Sequence, residues 1–294
     1  MTHPTHMPAV FLDETRRRAP AAIHALVDDL RSRFGDSLLG VLFYGSCRRD
    51  VDHYEVLIDL YVIVDALRPH SSALAAVLGW LLPPYVCYLE VPSEGRVARS
   101  KYALMSLDRL QHGIERRFHP YFWARFAQPT SIVWALDDAT RSALERILEA
   151  APRRLLNELP DPRRESDPLA PWRDAFRRTY LTELRVERGD RADQLVDSYS
   201  DYYLALGQAI PLPSPRGRRL RAVRWGLRIV QGKLISLARL FKGFYTFEGG
   251  LDYLAWKLER HTGRQVEVPA RVRKWPLIFA WPMLWRLYRE GVLR

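Results

Sequence analysis

The stretch from Val41 to Asp65, VLFYGSCRRDVDHYEVLIDLYVIVD, constrains the fold more than any other part of the chain. A short apolar run, Val41 to Tyr44, meets Gly45-Ser46; a charged loop follows, and Val56 to Val64 is a β-branched-rich run whose only acidic residue is Asp59. This pattern reads as strand, turn, loop and second strand. Side chains alternate along a strand, so Leu57, Asp59, Tyr61 and Ile63 share one face while Ile58, Leu60, Val62 and Val64 share the other. The second face is wholly apolar and requires a packing partner. The first places one carboxylate beside a Gly-Ser turn.

That juxtaposition is the one a nucleotidyltransferase uses. Glycine lets the backbone approach a triphosphate, Ser46 can bond a phosphate oxygen, and the strand carboxylate of Asp59 can hold Mg²⁺. Ordinary turn chemistry and an edge aspartate facing water give the same spacing. The superfamily pattern also carries a second acid two residues after the first, a position filled here by Tyr61.

A chain of 294 residues buries a large core and forms two domains more naturally than one. With 48% hydrophobic residues it is globular. Its two cysteines, Cys47 and Cys87, are too few for a disulfide scaffold and fit a reducing, cytoplasmic compartment. The leading MTHPTHMP has no signal-peptide core, and no apolar run reaches the ~18 residues of a spanning helix. The expectation is a soluble or peripheral protein. A net charge of +11 calls for an acidic partner, whether nucleic acid, an anionic membrane surface or nucleotide phosphates.

Along the chain, helical spacing of Ile23, Leu26, Val27 and Leu30 predicts one helix from Asp13 to about Phe34, ended by Gly35-Asp36-Ser37. Leu38 to Tyr44 is the first strand, Ser71 to Leu82 a helix, and Tyr85 to Val91 a third strand with Val86, Tyr88 and Glu90 on one face. Glu90 is then either the missing second carboxylate or a solvent-facing edge residue. Lys101, ahead of an apolar run, reads as a solvated lysine or a phosphate ligand. FHPYFWARFAQPTSIVW sets aromatics around Arg125, Pro160 to Pro171 is a linker, and Pro171 to Leu206 is helical with Phe176, Tyr180, Leu184, Leu195 and Val196 as core. From Arg216 to Phe247 no acid occurs while Arg and Lys alternate with apolar residues, the composition of an interfacial membrane helix. Trp275, Trp281 and Trp285, flanked by Arg273, Lys274 and Arg286, suit a headgroup-level anchor or a segment docked on its own domain.

The order YGS, IDLYVIVD, CYLE, SKYALMS, FWARFAQP and FRRTYLTELRVE, from about Val41 to Leu206, is similar to the mitochondrial-type phosphatidate cytidylyltransferase family. The resemblance matches Gly45-Ser46, Asp59 with Asp65, Glu90, Lys101-Tyr102, Arg125 with Pro129, and Tyr180, Glu183 and Arg185. It departs at Ala66, Glu90 and Ala127-Gln128, where the family has Asp, Asn and His-Lys. What it implies is CTP and phosphatidate as substrates, Gly45, Ser46 and Asp59 as the catalytic turn, Lys101, Arg125 and Arg185 neutralising phosphates, and Mg²⁺ on Asp59. Asp65 lies roughly 20 Å along a strand from Asp59, so Glu90 is favoured as the second metal ligand. The expected fold is α+β: a nucleotidyltransferase-like mixed sheet with flanking helices (1–112), a helical domain (113–210) and a basic-aromatic C-terminal region (211–294), placed peripherally on the inner face of the membrane. Two alternatives stay open: a nucleotidyltransferase acting on RNA or a small alcohol, and a non-catalytic lipid- or nucleotide-binding relative.

Overall fold

The structure, a computed structural model, describes residues 7–48, 51–66, 84–161, 167–183 and 190–246, with side chains of the last stretch described to Arg239. The predicted helix over Ser71 to Leu82, together with Leu184, Arg185 and the Trp275, Trp281 and Trp285 segment, lies outside the described residues.

The architecture is α+β, as the sequence predicts. Strands β1 (Leu38–Tyr44), β2 (Leu57–Val64), β3 (Tyr85–Ser93), β4 (Arg96–Ser106) and β5 (Ser131–Ala135) form one mixed sheet in the order β3-β4-β2-β1-β5. β2 and β4 run parallel, and the other neighbours are antiparallel. Glu94 and Gly95, with φ of 52° and 74°, make the tight hairpin between β3 and β4. The edge strand beside β1 comes from the 113–210 segment otherwise read as helical, where Ser131-Ile132-Val133-Trp134 follows Pro129.

The single helix expected from Asp13 to Phe34 is two: α1 (Ala9–Thr15) and α2 (Ala21–Phe34). Pro20 is the reason. Inside a helix it would remove an N–H and crowd the Arg16 carbonyl, whereas at the N-cap of α2 its fixed φ costs nothing. Gly35, at φ 54°, ends α2.

The alternation read on β2 decides the layers. Ile58, Leu60, Val62 and Val64, with Val41 and Phe43, pack on Ile23, Leu26 and Leu30 of α2. The opposite face, with Leu42, Tyr61, Ile63 and Met105, is covered by α3 (Leu107–Glu115), α4 (Tyr121–Phe126) and α5 (Asp138–Asn157). The same core continues through Phe176 of α6 (Ala170–Leu181), Val196 of α7 (Arg191–Asp197) and Tyr203 of α8 (Ser200–Ala209). Trp123 and Trp172 are wholly buried, each contributing on the order of 2–3 kcal/mol of apolar burial.

Helix α9 (Arg218–Thr246) carries most of the basic run. Several of its arginines turn inward: Arg221 donates to the carbonyls of Leu159, Arg216 and Ser214, Arg224 pairs with Glu158, and Arg228 is 0% exposed. Trp225 donates its indole N–H to Glu158 O at 2.8 Å. At Gly232 a Cβ would stand 2.4 Å from Thr182 O, so only glycine lets the helix come this close. What faces outward instead is Leu220, Val223, Leu227, Val230, Leu234 and Leu237, each 46–65% exposed and spaced alternately by three and four. Among the described residues no helix is long and apolar enough to cross a membrane.

Candidate active site

At the end of β1 the chain turns through Gly45, at φ 89°, into a 3₁₀ turn of Ser46, Cys47 and Arg48. The register pairs Tyr44 with Asp59 across β1 and β2, so the turn arrives directly over that carboxylate. A Cβ on Gly45 would lie 3.2 Å from Asp59 Oδ2. Glycine is therefore required twice, by backbone angle and by the closeness of Asp59. Cys47 lies beneath, its thiol donating to Tyr44 O, and burial pushes its pKa up to about 11, which keeps it a neutral packing group. The turn is pinned from behind by Arg48, 3% exposed, which bonds Glu14 Oε2 at 2.6 Å and Ser131 Oγ at 2.7 Å.

The parallel register sets Lys101 of β4 opposite Asp59, and Lys101 Nζ stands 3.2 Å from Asp59 Oδ1. Lys101 is therefore ion-paired with Asp59 rather than free in solvent. Tyr61, two residues past Asp59, is a buried ring tilted against its neighbours, its centroid 5.0 Å from that of Tyr44 and 4.9 Å from that of Phe126. Arg125 enters from α4: its Nη1 donates to the Tyr44 hydroxyl at 2.9 Å, and its guanidinium lies 4.7 Å from the Tyr121 ring. Burial works against its charge, but Tyr121, Tyr44, Tyr61 and Asp59 outweigh that and hold Arg125 firmly protonated. For Tyr121 burial acts upward, and Arg125 with Arg239 overcomes it and lowers the pKa.

Arg239 is the residue that sequence reasoning missed. Read as part of a membrane-facing basic run, it instead reaches in from α9 and places its guanidinium 3.7 Å over the Tyr121 ring. The signal was present: Trp225, Gly232 and Arg239 recur every seven residues, opposite the aliphatic stripe.

Glu90 is not brought to Asp59, which corrects its assignment as second metal ligand. It shares the face but stands beyond Lys101, in register with Arg99, bonded to Arg99 at 3.0 Å and accepting from Tyr88 OH at 2.6 Å. Asp65 lies past the far end of β2, where its N–H bonds Ser37 O. Arg185 is outside the described residues. Among the described residues no three His, Cys, Asp or Glu side chains converge as a metal cluster. Asp59, directly beneath the glycine turn, is the carboxylate at this point of the sheet that could hold a metal ion.

Behind Tyr121, His119 Nδ1 accepts the Tyr121 N–H at 3.2 Å. Burial, then Arg239, Arg117 and Arg228, depress its pKa to about 4, so it is neutral at physiological pH. Comparison with models of known protein families and with curated proteins gives no match.

Proposed function

We propose that this chain is a nucleotidyltransferase that joins the CMP of CTP to the phosphate of a membrane lipid, of the phosphatidate cytidylyltransferase type. The observation that carries the proposal is one constellation: the Gly45 turn closes over Asp59, with Lys101 at 3.2 Å and with Arg125 and Arg239 bracketing Tyr121. In the reaction a phosphatidate oxygen attacks the α-phosphorus of CTP, a new P–O bond forms, the α–β bridge breaks and pyrophosphate leaves. A polyanion meets a polyanion, so positioning and charge neutralisation are the main requirements. Gly45 and Ser46 offer backbone and hydroxyl contacts to the triphosphate. Lys101 and Arg125 supply positive charge to its oxygens, and Arg239 adds a third cation from the far wall. An Mg²⁺ on Asp59 would neutralise phosphate charge once Lys101 exchanges its carboxylate partner for a phosphate. Incubation with labelled CTP, Mg²⁺ and phosphatidate should release pyrophosphate and label the lipid; no labelled lipid with any phosphorylated acceptor would end the reading.

A membrane as the acceptor's location is supported by the outward face of α9. Six exposed aliphatic side chains in a row are a larger apolar surface than solvent tolerates without a partner. Arg216, Arg219 and Lys233 stand exposed beside them, and no acid occurs from Arg216 to Phe247, so the complementary surface is an anionic bilayer. A second copy would set arginine against arginine. Because most arginines of α9 point inward, apolar insertion rather than ion pairing dominates, and vesicle binding should persist in high salt. Leu227→Gln with Leu234→Gln should abolish the salt-resistant part of co-sedimentation; unchanged binding, or concentration-dependent dimerisation by this face, would remove the membrane from the proposal.

One observation favours a second reading, a phosphate-binding relative without catalysis: Tyr61 occupies the second acid's position and Lys101 already pairs with Asp59. Nucleotide binding without turnover would select it.

A further inference from the structure

Away from Asp59, at the β5 edge of the sheet, the α1–α2 turn and the start of α5 border an open hollow of about 600 Å³. Arg16, Arg17, Arg18 and Arg141 line it, with His24 at its rim and Ile132 and Val133 as an apolar floor. Two carboxylates, Asp138 and Glu145, also face it, but Glu145 is taken by Arg16 through two bonds of 2.9 and 3.3 Å. Arg141 is steadied by Ile132 O at 3.2 Å. Arg17 and Arg18 are exposed and have no ion-pair partner among the described residues. With Arg16 paired to Glu145, Arg17 and Arg18 add two positive charges at the same hollow, held apart by water until a multivalent anion joins them. The start of α2 adds to the same field, since Pro20 provides no side-chain cap for its first N–H groups. A hollow of this size accepts a ligand as large as a nucleotide.

We propose that this hollow is a second anion site, separate from the Asp59 turn, that takes a di- or triphosphate group, free as pyrophosphate or carried by a nucleotide whose apolar part rests on Ile132 and Val133. Arg17, Arg18 and Arg141 hold the phosphates, Arg16 with Glu145 forms the fixed wall, and Asp138 limits how far the charge extends. The site does not depend on the reading of Asp59 as catalytic. The test is calorimetric titration of the full chain with pyrophosphate and, separately, with ATP. Both should bind; Arg17→Glu with Arg18→Glu should weaken pyrophosphate at least tenfold, while Arg216→Glu with Arg219→Glu, equal in charge change but remote, should not. Lys101→Ala should leave this binding intact and so separates it from the Asp59 site. ATP tighter than pyrophosphate would place the nucleoside on the apolar floor. Pyrophosphate binding unaffected by Arg17→Glu with Arg18→Glu, or lost equally in the Arg216 and Arg219 control, would overturn the proposal.

Discussion

Two arginines wedged among aromatic rings, Arg228 and Arg125, meet their charge in opposite ways. Arg228 is fully buried against Phe118, Trp123 and Trp225, its Nε donates to Phe118 O at 2.8 Å, and its Nη2 stands 2.9 Å from Glu158 Oε2. That last contact is an ion pair whose angle does not make it a hydrogen bond. Arg125 has rings and the Tyr44 hydroxyl, but no carboxylate within ion-pair distance among the described residues, because Asp59 is engaged by Lys101. A buried cation with its own anion is a fastener. Arg125, among tyrosines beside the glycine turn, carries its charge without such an anion, which is what the proposed phosphate contact requires.

The largest expected effect breaks the fastener. Arg228→Ala leaves Glu158 with Arg224 as its remaining counter-charge and opens a void among Phe118, Trp123 and Trp225, and should lower unfolding free energy by about 3–5 kcal/mol in a urea titration; a loss under about 1 kcal/mol would make the pair incidental. Next comes His119, which burial, then Arg239, Arg117 and Arg228, keep neutral. With a folded pKa of about 4 and an unfolded value near 6.5, the folded state binds fewer protons between those limits, so stability is full above pH 6.5 and declines as pH falls towards 4, by up to about 3 kcal/mol. His119→Phe should flatten that slope, and an unchanged slope would assign it elsewhere. Arg125→Gln should behave as the opposite of Arg228→Ala: nucleotide affinity falls by roughly ten- to a hundredfold, the 1.5–3 kcal/mol of charged hydrogen bonds, with the melting temperature nearly unchanged. If instead the protein unfolds while nucleotide affinity per folded molecule holds, Arg125 is also a fastener. The smallest effect sharpens the turn. Gly45→Ala forces a side chain into φ 89° and 3.2 Å from Asp59 Oδ2, for about 1–2 kcal/mol of stability together with weaker triphosphate binding; wild-type affinity would move the cradle away from Gly45. Asp59→Asn, which preserves shape and removes charge, separates these binding effects from turnover, since the proposed reaction should stop while the fold stays.

How much of this was legible follows from which rules are local. The faces of β2 were readable because alternation is a property of one strand, and Gly45 with Asp59 followed from it. Glu90 failed because alternation gives a face but not a register: Lys101 and Tyr88 lie level with Asp59, while Glu90 lies level with Arg99. The break between α1 and α2 was available in Pro20 and was overridden by the longer apolar period. In α9 the mixture of Arg with apolar residues reads as an interfacial helix but does not say which side faces out; the three-four spacing of Leu220 to Leu237 sets the apolar side and sends Arg228 and Arg239 inward. The convergence of Tyr121 with Arg239 depends on Gly232 against Thr182, a tertiary contact that no local pattern encodes.

Arg239 also fixes when the site can exist. The other members of the site, Tyr44, Asp59 and Lys101, emerge from the ribosome far ahead of it, and the sheet that carries them can close beforehand. Until α9 is made and laid over Thr182, one wall of the cleft is missing and Tyr121 lacks the second of its two guanidiniums. Nucleotide affinity should therefore appear late in synthesis, so a nascent chain stalled before Gly232 would hold a formed sheet without a competent cleft.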